Sequence, residues 1–518
     1  MPFLVLALVL PLVGRWWPHT AFPIALFATV GAAVAALLGL ANVMQNGAMH
    51  YHLGGWAPPL GIELVLDHIS AFVSLVILSV ASVVVIATRR HVIRIADDRL
   101  GSYYSVMLLL LLGITGIILT GDVFNLFVFL EIASISAYAL IFMGGRSGMI
   151  AAFRYLILGT IASSLYLLGV GFLYFSTGTL NMAEMQQLLG EVGPSRSVEA
   201  AAVFILAGLG LKMALMPLHF WLPDAYNFAP SAVNSLLAPI MTKAAAYAII
   251  RMFISVFPPG YLQEAVPIAD ALLILGLIGV IVAPIIAVAQ KDIRRLLAYS
   301  SISQLSLIAV GIGLANPLGL VAALLHIMNH TVIKATLFLS AASIRRATGS
   351  SLISDMTGLG RKMPLTFAAF SLAAIAMIGF PPFAGFFSKL YVAQAGVEAG
   401  HWIVVAAVLA STLLTAAYLF KVLEQAYLRP ARPDAHGHEE EVDLFPLTHG
   451  HSASLALAIE ASPDAEIHRK DPASVMIANA KESPRDLVLP ALFLGIMTLV
   501  LGVFNVYIVT SILEPAVS

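Results

Sequence analysis

The sequence predicts an all-α protein that crosses a membrane many times, and three observations lead to this prediction. Of the 518 residues, 60% are hydrophobic and only 11% are charged, with a mean hydropathy of +0.94, whereas soluble proteins have roughly a quarter charged residues. Apolar runs of about 20 residues, the length of a transmembrane helix, recur along the chain. Lys and Arg are concentrated in alternate connections between these runs.

About fourteen spans are predicted. The first, at 3–18, lacks a basic start and a small-residue cleavage site, so we expect a spanning helix and not a cleavable signal peptide. The others follow at 21–42, 68–88, 102–120, 122–143, 152–175, 199–218, 231–252, 268–289, 294–314, 318–341, 364–398, 402–428 and 486–511. An even number of spans places both termini on the same side of the membrane.

Basic residues give the expected orientation, because short cytoplasmic loops collect Lys and Arg. One set of alternate loops holds nearly all of them: Arg15; Arg89, Arg90, Arg94 and Arg99; Arg146 and Arg154; Lys291, Arg294 and Arg295; Arg345, Arg346, Arg361 and Lys362; Arg429, Arg432, Arg469, Lys470, Lys481 and Arg485. The other side has only Arg196 and Arg251. Both termini are therefore expected on the non-cytoplasmic side of the plasma membrane, the inner membrane of the cell.

Composition also excludes several functions. The chain has no cysteine, which excludes disulfides, thiolate metal sites and iron–sulfur ligation within it. A net charge of −1 gives no reason to expect a nucleic-acid partner. If electrons drive this protein, they must flow in another subunit.

Two predicted spans contain helix-breaking residues. Glycines and Pro217 surround Lys212 in a segment too long for one straight span, and Pro381, Pro382 and Gly385 precede Lys389. Interrupted helices in corresponding positions of two halves are typical of inverted-repeat transporters. We expect helices 1–3 in 1–100, one repeat in 101–252, an inverted repeat in 268–428, a loop at 429–485 and the last helix in 486–518.

Seven ionisable residues remain inside the predicted spans, where an unpaired charge costs a few kcal/mol. They are Glu131, Lys212, Lys243, His326, His330, Lys334 and Lys389, with Lys421 nearer the cytoplasmic end of its span. Glu131 lies nine residues from Asp122, about 14 Å into the bilayer and close to its midplane. A set this large, spread over several helices, indicates a proton or ion path. Single residues of the set could instead be satisfied core groups.

Spacing places three of these bases on one helical face. His326, His330 and Lys334 follow i, i+4, i+8 spacing, beside a polar run at 299–304 on the preceding span. A histidine near neutral pKa between lysines suits a proton relay. A metal site at His326 and His330 is disfavoured because Lys334 would repel a cation.

The loop at 429–485 is rich in His, Glu, Asp and Pro. Its "HGHEEEVDLFPLTHGH" contains two His-x-His pairs that could bind a metal. A solvated linker that orders against a partner subunit is the alternative and is favoured, because no fixed scaffold for a metal is evident.

Four segments resemble a known family: "GDVFNLFVFLEIASISAYALI", "LKMALMPLHFWLPDAYNFAPSAVNSLLAPIMTKAAAYAIIRMF", "LLHIMNHTVIKATLFL" and "IGFPPFAGFFSKL". They are similar to the antiporter-like subunits of complex I and of Mrp-type cation/proton antiporters, and most similar to the MrpD branch of the latter. The resemblance implies fourteen helices, two inverted five-helix repeats (spans 4–8 and 9–13) and interruptions in helices 7 and 12.

The resemblance also implies a function. It identifies all seven buried groups as a chain of protonatable residues, in a transporter subunit that has no cofactor and works with other membrane subunits. The first interpretation is the proton-translocating subunit of a Na⁺/H⁺ antiporter. The alternative is the corresponding subunit of a redox-driven complex I-like or hydrogenase complex. A solute transporter is a weaker interpretation, because no residues in the sequence indicate a binding site for an organic substrate. Two departures from the family are the 57-residue loop and the lack of a long lateral helix after the last span.

Overall fold

Helices make up nearly all of the structure, a computed structural model that describes residues 2–96, 99–264, 267–430, 476–477 and 479–517. The first half contains α1 (Pro2–Trp16), α2 (Ala21–Asn46), α3 (His68–Ala96), α4 (Leu100–Leu119), α5 (Val123–Phe142), α6 (Gly145–Thr177), α7 (Met182–Val192), α8 (Arg196–Met213), α9 (Trp221–Phe228), α10 (Ser231–Ser255) and α11 (Tyr261–Glu264). The second half contains α12 (Ile268–Ala289), α13 (Ile293–Gly313), α14 (Pro317–Thr348), α15 (Leu359–Lys362), α16 (Pro364–Ile378), α17 (Ala384–Glu398), α18 (Trp402–Leu423), α19 (Arg485–Val503), α20 (Asn505–Ile508) and α21 (Glu514–Val517). Short 3₁₀ helices occur at Pro18–Thr20, Leu53–Gly55 and Ile353–Met356, and π-helices at Glu424–Leu428 and Val509–Leu513.

Within the described ranges, 11 helices are long and apolar enough to cross a membrane: α2–α6, α10, α12–α14, α18 and α19. The predicted all-α, multispan class is confirmed, but length and composition do not confirm a count of fourteen. The other three predicted spans correspond to α1, which has 15 residues, to α8 followed by α9, and to α16 followed by α17. Of the long helices, α10, α13 and α14 are the most buried, so they form the centre of the bundle.

The two predicted helix interruptions are present. Helix α8 ends at Met213, and Ala214 has a left-handed backbone with φ 62°. The indole N–H of Trp221 then donates to the Leu211 carbonyl at 2.9 Å, satisfying a group that the ended helix leaves free. Helix α16 ends at Ile378, where Gly379 has φ 94°, a conformation that favours glycine. Each interruption leaves backbone carbonyls available inside the bundle.

A repeated backbone arrangement supports the predicted inverted repeats. Asp122 and Asp292, 170 residues apart, cap the N-termini of α5 and α13. Each forms an isolated antiparallel bridge, Asp122 with Asn181 and Asp292 with Leu352. Because α5 corresponds to the fifth predicted span and α13 to the tenth, equivalent helices run in opposite directions.

Ion pairs bring separate arginine-rich segments to one face of the molecule. Asp224 accepts from Arg154 in the first turns of α6 at 2.8 Å and from Arg295 at the beginning of α13 at 3.1 Å, although the two arginines are about 140 residues apart. Arg90 lies 2.9 Å from Asp486, at the beginning of α19. We call the side that carries these segments the arginine-rich face. Its identity as the cytoplasmic side stays a prediction.

The opposite face has a hairpin that the sequence did not predict. Strands β1 (Met49–His52) and β2 (Glu63–Leu66) pair antiparallel, and Glu63 accepts from Asn181 at 3.0 Å and contacts the His50 ring at 2.7 Å. One residue beyond β2, Asp67 accepts two hydrogen bonds from Arg251 on α10, at 2.6 and 3.0 Å. Burial raises the pKa of the Asp67 carboxyl, but the charge and hydrogen bonds of Arg251 outweigh it and hold the pKa at about 2. The pair fastens this connection to α10.

Arg251→Gln is expected to lower the free energy of unfolding by about 2 kcal/mol, because it removes a bidentate partner and leaves the Asp67 carboxylate partly buried. The matched control is Arg196→Gln: the Arg196 side chain is 98% exposed, against 8% for Arg251, and exposed pairs contribute about 0–1 kcal/mol. Thermal unfolding in detergent measures the change in stability of both variants. Equal shifts in the two variants would contradict the anchoring role.

The His-rich sequence at 436–451 lies outside the described residues. Its predicted roles, as a metal ligand or as a linker, therefore stay predictions.

Candidate functional site

The predicted ionisable residues lie on five helices of the bundle. Glu131 is on α5, Lys212 on α8, Lys243 on α10, the His326–His330–Lys334 set on α14 and Lys389 on α17. Six of the seven are buried, and Glu131 is partly buried with 27% of its side chain exposed. Because an unsatisfied charge at this depth is costly, the partners of each group decide what the group can do.

Glu131 on α5 and Lys212 on α8 form an ion pair. The Lys212 ammonium lies 3.6 Å from a Glu131 carboxylate oxygen and donates to the Ser134 hydroxyl at 2.6 Å. The Ser163 hydroxyl on α6 donates to Glu131. A carboxylate stabilises the charged form of a nearby buried ammonium, so this contact favours a charged Lys212 side chain inside the bundle.

Lys243 has no comparable acidic partner. Its side chain is fully buried, and its ammonium donates to the Ala238 carbonyl at 2.6 Å. Among the described residues, no carboxylate lies within 4 Å of it. Helix α10 packs against both α13 and α14, so Lys243 lies on a helix that borders the bases of the second half.

The three bases on α14 share one face, as their spacing predicted. The rings of His326 and His330 are stacked with centroids 5.8 Å apart. His326 contacts the Ser388 hydroxyl on α17 at 2.9 Å, and Lys334 donates to the Leu297 carbonyl at 2.9 Å and to the Ser300 hydroxyl. Helix α14 thus places its bases between α13 and α17.

Several buried polar atoms next to these bases have no hydrogen-bond partner within the protein. They include both ring nitrogens of His330, the Nε2 atoms of His326 and Gln304, and the hydroxyl of Ser303. Buried polar groups are normally hydrogen-bonded, often to ordered water. The interior between α13 and α14 is therefore suited to a chain of hydrogen-bonded water molecules.

Lys389 occupies the second helix interruption. Its ammonium donates to the carbonyls of Met377 and Ile378, at 2.8 and 2.9 Å, and lies 3.5 Å from the Thr412 hydroxyl. These carbonyls are the free ones at the end of α16, where the helix dipole favours a cation. Lys389 is thus held by backbone groups and not by an acid.

Some partners were not predicted. Ser134, Ser163 and Ser388 each bond a predicted residue, but a serine in an apolar helix more often bonds its own backbone, so the sequence contains no distinguishing signal. Lys421 donates to the carbonyls of Val288 and Gln290 at the end of α12, at 3.0 and 2.8 Å. It therefore caps a helix end.

Metal binding finds no support within the described ranges, where no group of three or more His, Asp or Glu side chains is arranged to hold an ion. His326 and His330 are close, but Lys334 follows one turn later on the same face. The arrangement suits proton transfer: one acid–base pair, a set of buried bases and polar atoms with free hydrogen-bonding capacity.

Comparison with known proteins places these residues in a family context. Residues 120–415 match the family model described as NADH:quinone oxidoreductase/Mrp antiporter, transmembrane. The chain is 39% identical over 495 residues to the N subunit of NADH-quinone oxidoreductase from Desulforudis audaxviator, covering 95% of this chain and 92% of that protein. It is 34% identical over 405 residues to the D subunit of the Na⁺/H⁺ antiporter from Alkalihalophilus pseudofirmus, covering 77% and 80%.

A solved structure is similar over the whole length. A chain in the structure of the Mrp complex from Dietzia sp. superimposes with a TM-score of 0.84 at 26% identity, covering 100% of this chain and 95% of that chain.

Proposed function

Because the chain belongs to the NADH:quinone oxidoreductase/Mrp antiporter transmembrane family, we propose that it is the proton-translocating membrane subunit of a multisubunit Na⁺/H⁺ antiporter. The observation that carries this proposal is the Glu131–Lys212 ion pair beside a set of buried bases. All seven residues, Glu131, Lys212, Lys243, His326, His330, Lys334 and Lys389, are assigned to the proton path.

The proposed mechanism uses the ion pair as a control on proton affinity. While Glu131 lies beside Lys212, the ammonium stays charged; when they separate, Lys212 releases its proton towards α10, against which α8 packs. Lys243 then exchanges protons with the α14 bases, whose unpartnered nitrogens suit hydrogen-bonded water. A second positive charge among these bases is opposed by the first, so protons move in succession.

Lys389 is the proposed terminal group of the path. His326 contacts the hydroxyl of Ser388, the residue before Lys389 on α17, at 2.9 Å. The carbonyls of α16 stabilise the charged form of Lys389 without an acid. A proton can therefore stay on Lys389 until the interruption rearranges.

Na⁺ is assigned to a neighbouring subunit and not to this chain. Na⁺ is a hard cation that prefers several oxygen ligands, whereas the path here has one carboxylate among six bases. The whole complex would then exchange Na⁺ for protons, and the movements of the two ions would be coupled between subunits.

A redox-driven complex is the second candidate, favoured by the 39% identity to a subunit named for NADH-quinone oxidoreductase. Both candidates use the same proton path. Because this chain has no cysteine to hold an iron–sulfur cluster, the redox centres would lie in other subunits. Purification with iron–sulfur chains would favour this candidate, and purification with only small membrane subunits the antiporter.

Lys389→Ala tests the proposed exit of the path. The variant is expected to lose Na⁺-dependent proton exchange by about tenfold or more in membrane vesicles, while the complex still assembles, because the terminal base is absent. The measurement is ΔpH formation on addition of Na⁺, with assembly checked by native electrophoresis. Wild-type exchange in the assembled variant would overturn the role of Lys389.

The remaining assignments are proposals of the same kind. The chain is a multi-pass membrane protein that works within a complex in the plasma membrane, with both termini on the non-cytoplasmic side. We propose the divisions 1–100, 101–252, 268–428, 429–485 and 486–518 as its structural units.

A further inference from the structure

Arginines cluster where two long helices reach the arginine-rich face. Arg90 and Arg94 lie near the end of α3, and Arg345 and Arg346 near the end of α14. Helices α3 and α14 pack against each other, and α19, whose Asp486 lies 2.9 Å from Arg90, packs against both, so the ends of α3 and α14 lie close together. We call Arg90, Arg94, Arg345 and Arg346 the arginine cluster.

Negative charge within the described ranges does not balance this cluster. Asp486 pairs with Arg90 at 2.9 Å, and the Arg90 side chain is still 61% exposed. No other carboxylate in the described part of the chain lies within 4 Å of the four arginines. Asp97 and Asp98 follow in the sequence and lie outside the described residues. Exposed arginines at this depth attract anionic lipid headgroups, and the guanidinium fork matches phosphate oxygens.

An apolar groove lies between the same helices, on the face of α3 that carries Arg90. Val76, Ser79 and Val83 line the groove, and Ile86, which is 41% exposed, separates Val83 from Arg90. Spacings of three or four residues place all five on one helical face. This face therefore passes from the arginine cluster into the groove without interruption.

Helix α19 runs antiparallel to α3 and also carries an apolar face that begins beside the arginine cluster. Asp486, Leu489, Phe493, Met497 and Leu501 follow at spacings of three or four, and the last three line the groove. Leu489 and Phe493 are each 50% exposed. The Arg90–Asp486 pair holds the end of α3 beside the beginning of α19, so the apolar faces of the two helices lie side by side. Two antiparallel helices thus form an exposed apolar strip with a cationic end.

The length of the strip matches one leaflet of a bilayer. The 14 residues from Arg90 to Val76 span about 21 Å, and half of a bilayer with its headgroups is about 20–22 Å thick. A phospholipid with its phosphate at the arginine cluster would therefore have its acyl chain along the groove.

We propose that this chain binds one anionic phospholipid of the leaflet at the arginine-rich face. The phosphate contacts the arginine cluster, and an acyl chain lies in the groove between α3, α14 and α19. Met328 and Val332 of α14 also line the groove, on the helix that carries His326, His330 and Lys334. The lipid thus contacts a face of α14 other than the one that carries His326, His330 and Lys334. The proposal does not depend on which function the complex has.

Two measurements on the purified complex test the proposal. In native mass spectrometry, we expect phosphatidylglycerol to be retained and phosphatidylcholine not. Replacing Arg90, Arg94 and Arg346 with glutamine should reduce retention by about fivefold per arginine. The matched control replaces Arg15, Arg146 and Arg361, which belong to other arginine-rich loops.

A second variant tests the groove independently of charge. Val83→Trp fills the groove but leaves the arginine cluster intact, and it should also reduce phosphatidylglycerol retention severalfold. Inorganic phosphate alone should bind much more weakly than phosphatidylglycerol, because it has no acyl chain to lie in the groove, and equally tight binding of the two would also overturn the proposal. Equal retention of the two lipids, equal loss in the control variant, unchanged retention in Val83→Trp or a protein bound in the groove would each overturn the proposal.

Discussion

Replacing Glu131 with glutamine is expected to reduce Na⁺-dependent proton exchange by about tenfold or more. Removing one partner of a buried ion pair costs ~3 kcal/mol or more, and the partial exposure of Glu131 reduces that figure to about 1.4 kcal/mol, which is tenfold in a rate or equilibrium. Without the carboxylate, the Lys212 ammonium has only the Ser134 hydroxyl as a described partner. It would lose its proton too readily to be controlled.

The matched control for this variant is Glu199→Gln. Glu199 also forms an ion pair, with Arg196 at 3.5 Å, but that arginine is 98% exposed and the pair lies at the beginning of α8, far from its break. Exchange should be unchanged in this control. Glu131→Gln with full exchange, in an assembled complex, would contradict the role of the ion pair.

Lys243→Met is expected to have the second large effect, abolishing exchange to about a hundredth of wild type or less. Lys243 is the base that we propose to pass protons between the two repeats, and its helix α10 packs against α14, which holds three of the other bases. General acid–base groups typically contribute 10²–10⁴-fold when they carry the proton directly. Methionine has nearly the same length and is suited to a fully buried site, so the fold should be retained.

Lys421→Met is the matched control for Lys243→Met. Both lysines lie in apolar helices and donate to backbone carbonyls, but Lys421 caps the end of α12 and has no described contact with the buried bases. Exchange measured in the same vesicles should stay within about twofold of wild type for Lys421→Met. A similar loss in both variants would indicate general helix damage and contradict a proton path through Lys243.

Features that depend on residue spacing and on helix-breaking residues were predictable from the sequence. Proline and glycine near Lys212 and Lys389 predicted both interruptions, because proline breaks a regular helix and glycine weakens it. The face shared by the α14 bases follows from helical periodicity.

Partners that depend on tertiary packing could not be predicted. Asp67 and Arg251 are 184 residues apart, and no local pattern indicates that they meet. The β1–β2 hairpin is short, and its position follows from contacts with Thr120 and Asn181 in other connections. Lys421 shows the converse: its sequence surroundings resemble those of the lysines assigned to the proposed proton path, and only its contacts with the end of α12 distinguish it.

The most direct test of the central claim is a double-mutant cycle on the Glu131–Lys212 pair, measured as proton flux in proteoliposomes that contain the assembled complex. Glu131→Asp shortens the acid and Lys212→Arg lengthens the base, so each single variant should reduce flux severalfold by changing the 3.6 Å separation. If the two residues act as one unit, the double variant should recover flux to at least the level of the better single variant. Flux in the double variant equal to the product of the two single effects would contradict the account.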